Sequence, residues 1–507
     1  MRSEVVFFLN GRRVAVAGDD VWLPVSTWLR ERRRLTGTKV VCAEGDCGAC
    51  TVLVGVAEAG GNGFAYAPLD SCIAFVHQLD GRHLVTVEGL AGTASATAEL
   101  TGVQRAMVDG HGSQCGFCTP GIVATVHGML EAGRGNGGGC GGGCGLDAAG
   151  IREGLSGNLC RCTGYVQIVE AVQAVDVAAE PGLNARHPPA PMREALAPLV
   201  DDDVEVRFGR SGDCGGVLAA PRTLDAALAF RASHPGCTVA AGTTDLGVLH
   251  RHGRFNPLSQ PVLSLARVDG FNAVAEDAEG FTFGAGATWA QVAAATAERL
   301  PEARDMLQRF GSPQVRAAGT LGGNIATGSP IGDSLPLLAA LDAALELRSS
   351  AGSRTVALAD FYTGYKQTVL RGDELIASVR LLSPAADERL RVYKISKRRD
   401  MDISTFAATV CVALDDPEDA APMIRRARIA FGGVAATVVR LPETESFLEG
   451  RELCEATMRE AGARARAEVK PIGDVRGDAA FRLQLAENIL VKFGFEVMQP
   501  RGEAVPA

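Results

Sequence analysis

The chain has 507 residues, enough for about three or four domains of ordinary size. Its 47% apolar content can fill sizeable cores, and a formal charge of −9 (50 Lys and Arg against 59 Asp and Glu) argues against a general nucleic-acid binder. No uncharged apolar run reaches the ~18 residues of a membrane span: the best candidate, 335–347, is interrupted by Asp342, and the start offers only the short stretch 5–9, so the expectation is a cytoplasmic protein with no membrane contact.

Residues 5–9 and 12–16 read as two strands around an Asn10-Gly11 turn, a strong hairpin signal. Residues 24–34 read as a helix, with Val25, Trp28 and Leu29 facing in and arginines outside. A cysteine loop at 42–50 and strands at 51–56 and 84–87 complete a first domain, 1–88. A second, helical domain is expected at 89–180, with helices at 98–109, 120–132, 147–155 and 165–179; Pro120 suits a first turn and Gly157 a stop. Between the middle two lies GRGNGGGCGGGCG (133–145), a low-complexity insertion whose Cys140 and Cys144 are not assigned as ligands. Five prolines followed by three aspartates mark 181–203 as a linker. A glycine- and alanine-rich α+β region spans 204–380. The last part, 381–507, mixes strands (405–414 and 427–432) with helices (443–466 and 479–492) and ends in a frayed tail.

Ten of the 14 cysteines lie between Cys42 and Cys162, and clustered cysteines in a cytosolic chain point to metal or redox chemistry. Cys214, Cys237, Cys411 and Cys454 are scattered and read as small buried apolar residues. Cys42, Cys47 and Cys50 stand in C-x4-C-x2-C, with Cys72 following, the spacing of plant-type [2Fe–2S] ligation. Gly45 and Gly48 let the loop turn so that backbone N–H groups face the sulfurs. A four-cysteine zinc knuckle is the competing reading, although it usually has C-x2-C at both ends. The second set is Cys115 and Cys118 in QCGFCTPG with Cys160 and Cys162 in GNLCRCTGY, each pair preceding a helix, whose N-terminus stabilises thiolates. Taken alone it could bind zinc; after a ferredoxin-like unit a second [2Fe–2S] cluster fits better.

With both cysteine motifs in this order, the chain resembles the molybdenum hydroxylases, the family of xanthine dehydrogenase and aldehyde oxidase. The resemblance implies a multidomain α+β protein: a β-grasp plant-type ferredoxin domain, an all-helical [2Fe–2S] domain, a vanillyl-alcohol-oxidase-type FAD domain and an α/β C-terminal domain. It places Gln114 near the pterin of a molybdenum cofactor. The run 133–145 departs from the family pattern. Two glycine-containing segments, V-A-A-G-T-T-D-L-G-V (239–248) and residues 311–345, which begin G-S-P-Q-V-R-A-A-G-T-L-G-G-N, suit a diphosphate, but neither is a Rossmann G-x-G-x-x-G after a strand. By resemblance, Ala240, Ala241, Gly242, Thr243, Thr244, Asp245 and Leu246 wrap the FAD diphosphate. Phe310 packs on the cofactor, and Thr320, Leu321, Gly322, Gly323 and Asn324 bind diphosphate and ribose. Asp333 holds the adenosine end, and Ile376 and Lys394 line the rest. For Phe310 a core position, and for Asp333 an N-cap of a helix 334–346, are the plain alternatives. Met401 stands where some relatives carry an acidic residue near the flavin.

The resemblance covers about residues 4–490 and includes no molybdopterin portion. It therefore implies an electron-transfer subunit beside a large molybdopterin-binding partner, in a heterotetramer of two small and two large subunits. Electrons from hypoxanthine or xanthine would cross two [2Fe–2S] clusters and FAD to NAD. The alternative is a sister hydroxylase acting on an aldehyde or N-heterocycle. No catalytic acid or base is expected in this chain.

Overall fold

The computed structural model describes all residues except Ala59, 92–98, 136–145, 209–215, Ala420 and 499–507, so Cys140, Cys144, Cys214 and the terminal tail lie outside the described residues. The molecule is a multidomain α/β protein. Two compact units divide the chain: Met1–Asp269 with Gly311–Gly319, and Gly270–Phe310 with Thr320–Ala507.

In the first unit the hairpin Val5–Leu9/Arg12–Val16 forms as its Asn-Gly turn predicts, with Val5 opposite Val16. It joins a five-stranded sheet in the order Arg12–Val16, Val5–Leu9, His83–Val85, Thr51–Ala57, Phe64–Asp70. The strand Val5–Leu9 is apolar throughout rather than alternating because both faces of this sheet are covered. Val5, Phe7 and Leu9 pack with Val25, Trp28 and Leu29 of helix Val25–Arg32, and the Phe7 and Trp28 rings lie 5.4 Å apart. Val6 and Phe8 face the other core, with Ile122, Val123 and Val126 of helix Thr119–Gly135 and Ile168 and Val172 of helix Val166–Gln173.

The stretch 181–203, expected as a linker, holds the helices Leu183–Arg186 and Pro189–Leu196. Leu183, Met192 and Leu196 are buried in that second core, and Pro189 occupies a first helical turn, where its missing N–H loses nothing. Asn184 exchanges two hydrogen bonds with the backbone of Phe64, at 3.0 Å each, and so covers the end of an edge strand. A second sheet of this unit runs Val204–Arg207, Val217–Ala220, Val262–Ser264, Thr238–Ala240; the last three are parallel.

The second unit contains an antiparallel five-stranded sheet ordered Val274–Glu276, Gly280–Gly284, Leu375–Leu382, Ala344–Ser349, Gly352–Ala357. Its other main sheet is ordered Glu388–Ile395, Phe406–Leu414, Ile424–Gly432, Val439–Arg440. Phe406, Ala408, Val410 and Val412 pack with Met458, Ala461, Ile489 and Phe493 from helices Glu455–Glu468 and Ala479–Met498. The helix expected over 443–466 is two helices, Pro442–Leu448 and Glu455–Glu468, separated at Gly450, which takes a left-handed φ of +74°. Helix Ser334–Ala340 stops well short of 346, since Ala344–Ser349 joins the five-stranded sheet.

Candidate cofactor sites

Cys42, Cys47 and Cys50 lie on the loop between helix Val25–Arg32 and strand Thr51–Ala57, and Cys72 follows strand Phe64–Asp70. Gly45 and Gly48 have φ of +73° and +64°, and the loop wraps so that Glu44 and Asp46 donate their backbone N–H to the Cys42 Sγ at 3.4 Å. The Cys42 thiol lies within hydrogen-bond reach of Cys47 and Cys72, and Cys72 within reach of Cys50. Contact with Cys47 and Cys72 holds the Cys42 thiol well below the usual range, and the same contacts push Cys47 and Cys72 above it. Cys50 Sγ meets Asp70 Oδ1 at 3.5 Å; burial pushes that carboxyl up to about 7.

In the second set Cys115 and Cys162 approach to 3.5 Å between sulfurs, and Cys118 pairs with Cys160. Burial and the neighbouring Cys160 push Cys118 up to about 12. Helix Thr119–Gly135 begins directly after Cys118. Cys115 and Cys162 are exposed, as are Gln114, Phe117 and Leu159 on the same two loops and Val166 at the start of helix Val166–Gln173. Among the described residues no three His, Cys, Asp or Glu side chains gather tightly enough for a single ion; in the second set the cysteines approach as two pairs. Thiols this crowded resist shared ionisation until positive metal charge joins them, and each iron of a [2Fe–2S] centre takes two, so both donor sets fit that group.

The two cysteine loops touch through backbone. Leu159, beside Cys160, donates its N–H to the Cys47 carbonyl at 2.9 Å. Asn158 Nδ2 donates to the Gly48 carbonyl at 3.1 Å. A side chain at Gly121 would stand 2.1 Å from that same carbonyl, so only glycine permits the approach.

The residues expected to bind flavin fall in both units. In the first, Ala240 ends strand Thr238–Ala240, and Thr243 (φ +56°) turns the chain into helix Thr244–Arg251. Thr243 Oγ1 donates to Gln78 Oε1 at 2.6 Å and faces the Ile73 carbonyl at 3.5 Å. A Cβ at Gly242 would lie 2.0 Å from the Ala318 carbonyl, and one at Gly247 2.3 Å from that of Ile73. The glycine loop therefore sits on Ile73, next to Cys72. Ala241, Thr244 and Leu246 are half-buried and Asp245 is exposed.

In the second unit Thr320 caps helix Leu321–Thr327 by accepting from Gly323 N at 3.2 Å. Gly322 packs on Ala285, where a Cβ would come within 2.6 Å, and Asn324 Oδ1 accepts from Ser334 at 2.6 Å. Asp333 does not cap the following helix through its side chain. It receives Lys394 Nζ at 2.6 Å and Ser404 Oγ at 2.6 Å, in a buried network closed by Lys394 to the Arg309 carbonyl at 2.9 Å. Phe310 packs on Trp289 with ring centres 4.6 Å apart, and Ile376 is buried in strand Leu375–Leu382. Met401 sits at φ +51° in the loop after strand Glu388–Ile395. Sequence reasoning missed Gln78, Asn158, Gln314 and Ser404. Asn158 and Gln314 stand inside the motifs that drew attention, so an unassigned amide within a cofactor motif was the available signal.

Family models match in succession: a [2Fe-2S] binding domain over 86–173, an FAD binding domain in molybdopterin dehydrogenase over 212–383, and a CO dehydrogenase flavoprotein C-terminal domain over 391–497. The chain is 29% identical to xanthine dehydrogenase of Drosophila pseudoobscura pseudoobscura, over 99% of this chain and 40% of that one. It is 28% identical to aldehyde oxidase 4 of Cavia porcellus, over 99% and 40%. The chain thus spans about two fifths of the length of these relatives. Reconstituted CO dehydrogenase from Oligotropha carboxidovorans is a structural neighbour: TM-score 0.50, 25% identity, 56% of this chain and 97% of that chain.

Proposed function

The chain belongs to the molybdenum hydroxylase family and binds iron–sulfur clusters and FAD; on that premise we propose that it is the electron-transfer subunit of an NAD-dependent xanthine dehydrogenase. When bound, the clusters and FAD carry electrons singly from a large molybdopterin-bearing partner and release them in pairs to NAD as hypoxanthine or xanthine becomes urate.

Cys42, Cys47, Cys50 and Cys72 hold one cluster in a β-grasp domain (1–88). Cys115, Cys118, Cys160 and Cys162 hold the other in a helical domain (89–180). Beyond the 181–203 segment, Ala240–Leu246, Phe310, Thr320–Asn324, Asp333, Ile376 and Lys394 bind FAD in a vanillyl-alcohol-oxidase-type domain (204–380), followed by the companion domain (381–507).

One observation within the first unit carries the order of the relay. The second cysteine set presents Cys115 and Cys162 at the surface, the first is more deeply buried, and the glycine loop 242–247 rests on Ile73 beside Cys72. The exposed set, with Gln114, Phe117, Leu159 and Val166, thus faces the partner, and the buried set faces the flavin. The Cys47–Leu159 hydrogen bond links the two. The protein's own work is placement and tuning: backbone N–H groups on Cys42 and burial of Cys50 and Cys72 set the potentials.

The likeness to aldehyde oxidase, 28% against 29%, supports a second reading, the same relay in a hydroxylase for aldehydes or N-heterocycles. The test is to co-purify the chain with its partner and follow anaerobic NADH formation with xanthine. Rapid NADH formation supports the first reading. No NADH from a preparation with full iron, flavin and molybdenum, but turnover of an aldehyde or N-heterocycle, supports the second.

A further inference from the structure

Gln314 is fully buried, yet it lies in neither cysteine loop and is not among the residues proposed to bind flavin. It is held by the short helix Pro313–Ala318. Ser312 caps that helix by accepting from Val315 N at 3.0 Å, and Pro313 fixes its first turn. From there the Gln314 amide nitrogen reaches three oxygens: Thr51 Oγ1 at 3.1 Å, Thr125 Oγ1 at 3.2 Å and Asn158 Oδ1 at 3.0 Å.

Each of these partners belongs to a different cysteine segment. Thr51 directly follows Cys50, and its hydroxyl donates to the Gly48 carbonyl at 2.7 Å. Thr125 lies two turns into the helix that follows Cys118, and its single hydroxyl proton is shared between two acceptors, Asn158 Oδ1 and the Gly121 carbonyl, each 2.9 Å away. Asn158 stands two residues before Cys160 and grips the Gly48 carbonyl. The node is close-packed as well as bonded. A Cβ at Gly48 would meet the Gly157 carbonyl at 2.3 Å, and one at Gly157 would meet Gln314 Oε1 at 2.3 Å and Ser312 Cβ at 2.5 Å. Gln314 Oε1 is itself buried without a hydrogen-bond partner among the described residues. A buried acceptor left unsatisfied is destabilising, so packing alone would favour an apolar residue here.

We propose that Gln314 is a positioning residue for electron exchange between the two clusters: its amide fixes the register of the two cysteine loops and thereby the Leu159 N–H···O=C Cys47 contact through which they meet. Tunnelling falls off exponentially with separation and across unbonded gaps, so the register of this contact sets the exchange rate. The inference rests on the two-cluster relay proposed above.

The test is Gln314→Met, which keeps the volume and removes the amide, in the full chain with its partner. Hydrogen exchange is read across the backbone, and the spin–spin splitting between the two reduced clusters is read by electron paramagnetic resonance. The expected result is faster exchange confined to 46–51 and 156–160, with a changed or lost splitting, while iron and FAD contents stay full. Wild-type exchange and splitting in a fully loaded variant would overturn the proposal. So would a uniform rise in exchange over the whole chain, which marks lost stability alone. If Gln314→Met does not fold, Thr125→Val removes one hydroxyl of the node without changing its shape. The same local changes, smaller in size, are then expected, and no local change refutes the role. Absence of two cluster signals from the wild-type protein would refute the relay instead, and the exchange pattern would still decide the role of Gln314.

Discussion

Acidification tests the buried imidazoles of the first unit. His77, His83 and His127 are almost completely buried, and burial pushes each down to about 3. At pH 5 the folded chain leaves them neutral, whereas an unfolded imidazole, near 6.5, is almost fully protonated. The unfolded state therefore binds about three more protons, and stability falls as pH drops below 6.5. Between pH 7 and pH 5 each site costs about 2 kcal/mol, about 6 kcal/mol in all. Asp70 acts in the opposite sense. Its folded carboxyl, raised to about 7, takes up a proton in that interval while the unfolded one stays ionised, which restores about 2 kcal/mol. The net loss is about 4 kcal/mol, and His187, also held low by burial, adds to it. His77 isolates one site. Its ring lies against Trp22 and Phe75, at 4.5 and 6.1 Å between centres, and neither ring nitrogen has a hydrogen-bond partner among the described residues. His77→Phe should therefore lose no hydrogen bond at pH 7 and remove about 2 kcal/mol of the acid-induced loss. Urea midpoints at pH 7 and pH 5, followed by far-ultraviolet circular dichroism for wild type and variant, measure the difference. An equal pH gap in both proteins refutes the assignment of a depressed imidazole at this position.

Cys47→Ser should remove one of two distinct [2Fe–2S] paramagnetic signals and leave FAD bound; persistence of both would show that this set ligates no cluster. Gly121→Ala puts a Cβ against the Gly48 carbonyl at 2.1 Å, so it should destabilise by about 1–3 kcal/mol and lower iron per chain, read by thermal melting and metal analysis. Lys394→Met leaves Asp333 buried without its cation and should cost about 3–5 kcal/mol, with FAD lost on gel filtration; full FAD retention and an unchanged melting temperature would count against a role for that ion pair.

Elements whose signal is local were legible in the sequence. The Asn10-Gly11 hairpin, the helix after Pro120 and the glycine turns of the first cysteine loop all stand where local chemistry put them. The strand Phe64–Asp70 was missed because Pro68 argues against a strand, yet it is an edge strand of its sheet, where one absent donor is tolerated. The 181–203 stretch was read by its prolines, whereas Leu183, Met192 and Leu196 carry the tertiary signal. Of the site, cysteine spacing marked the two donor sets. Asn158, Gln78 and Gln314 join segments more than 100 residues apart; a motif marks the neighbourhood of Asn158 and Gln314, but no local pattern names their distant partners. Asp333, a residue that could as well have capped a helix, instead neutralises a buried lysine brought by a strand some 60 positions later.

Residues 311–319 belong to the first compact unit although both flanks belong to the second, and this order bears on biosynthesis. A chain emerging from the ribosome makes both cysteine loops by residue 162, but the amide that ties Thr51, Thr125 and Asn158 together arrives only with residue 314. Until then the loops lack their shared clasp. Vectorial synthesis thus builds a waiting period into maturation, in which the thiols are already present and the clamp that will lock them is still to come.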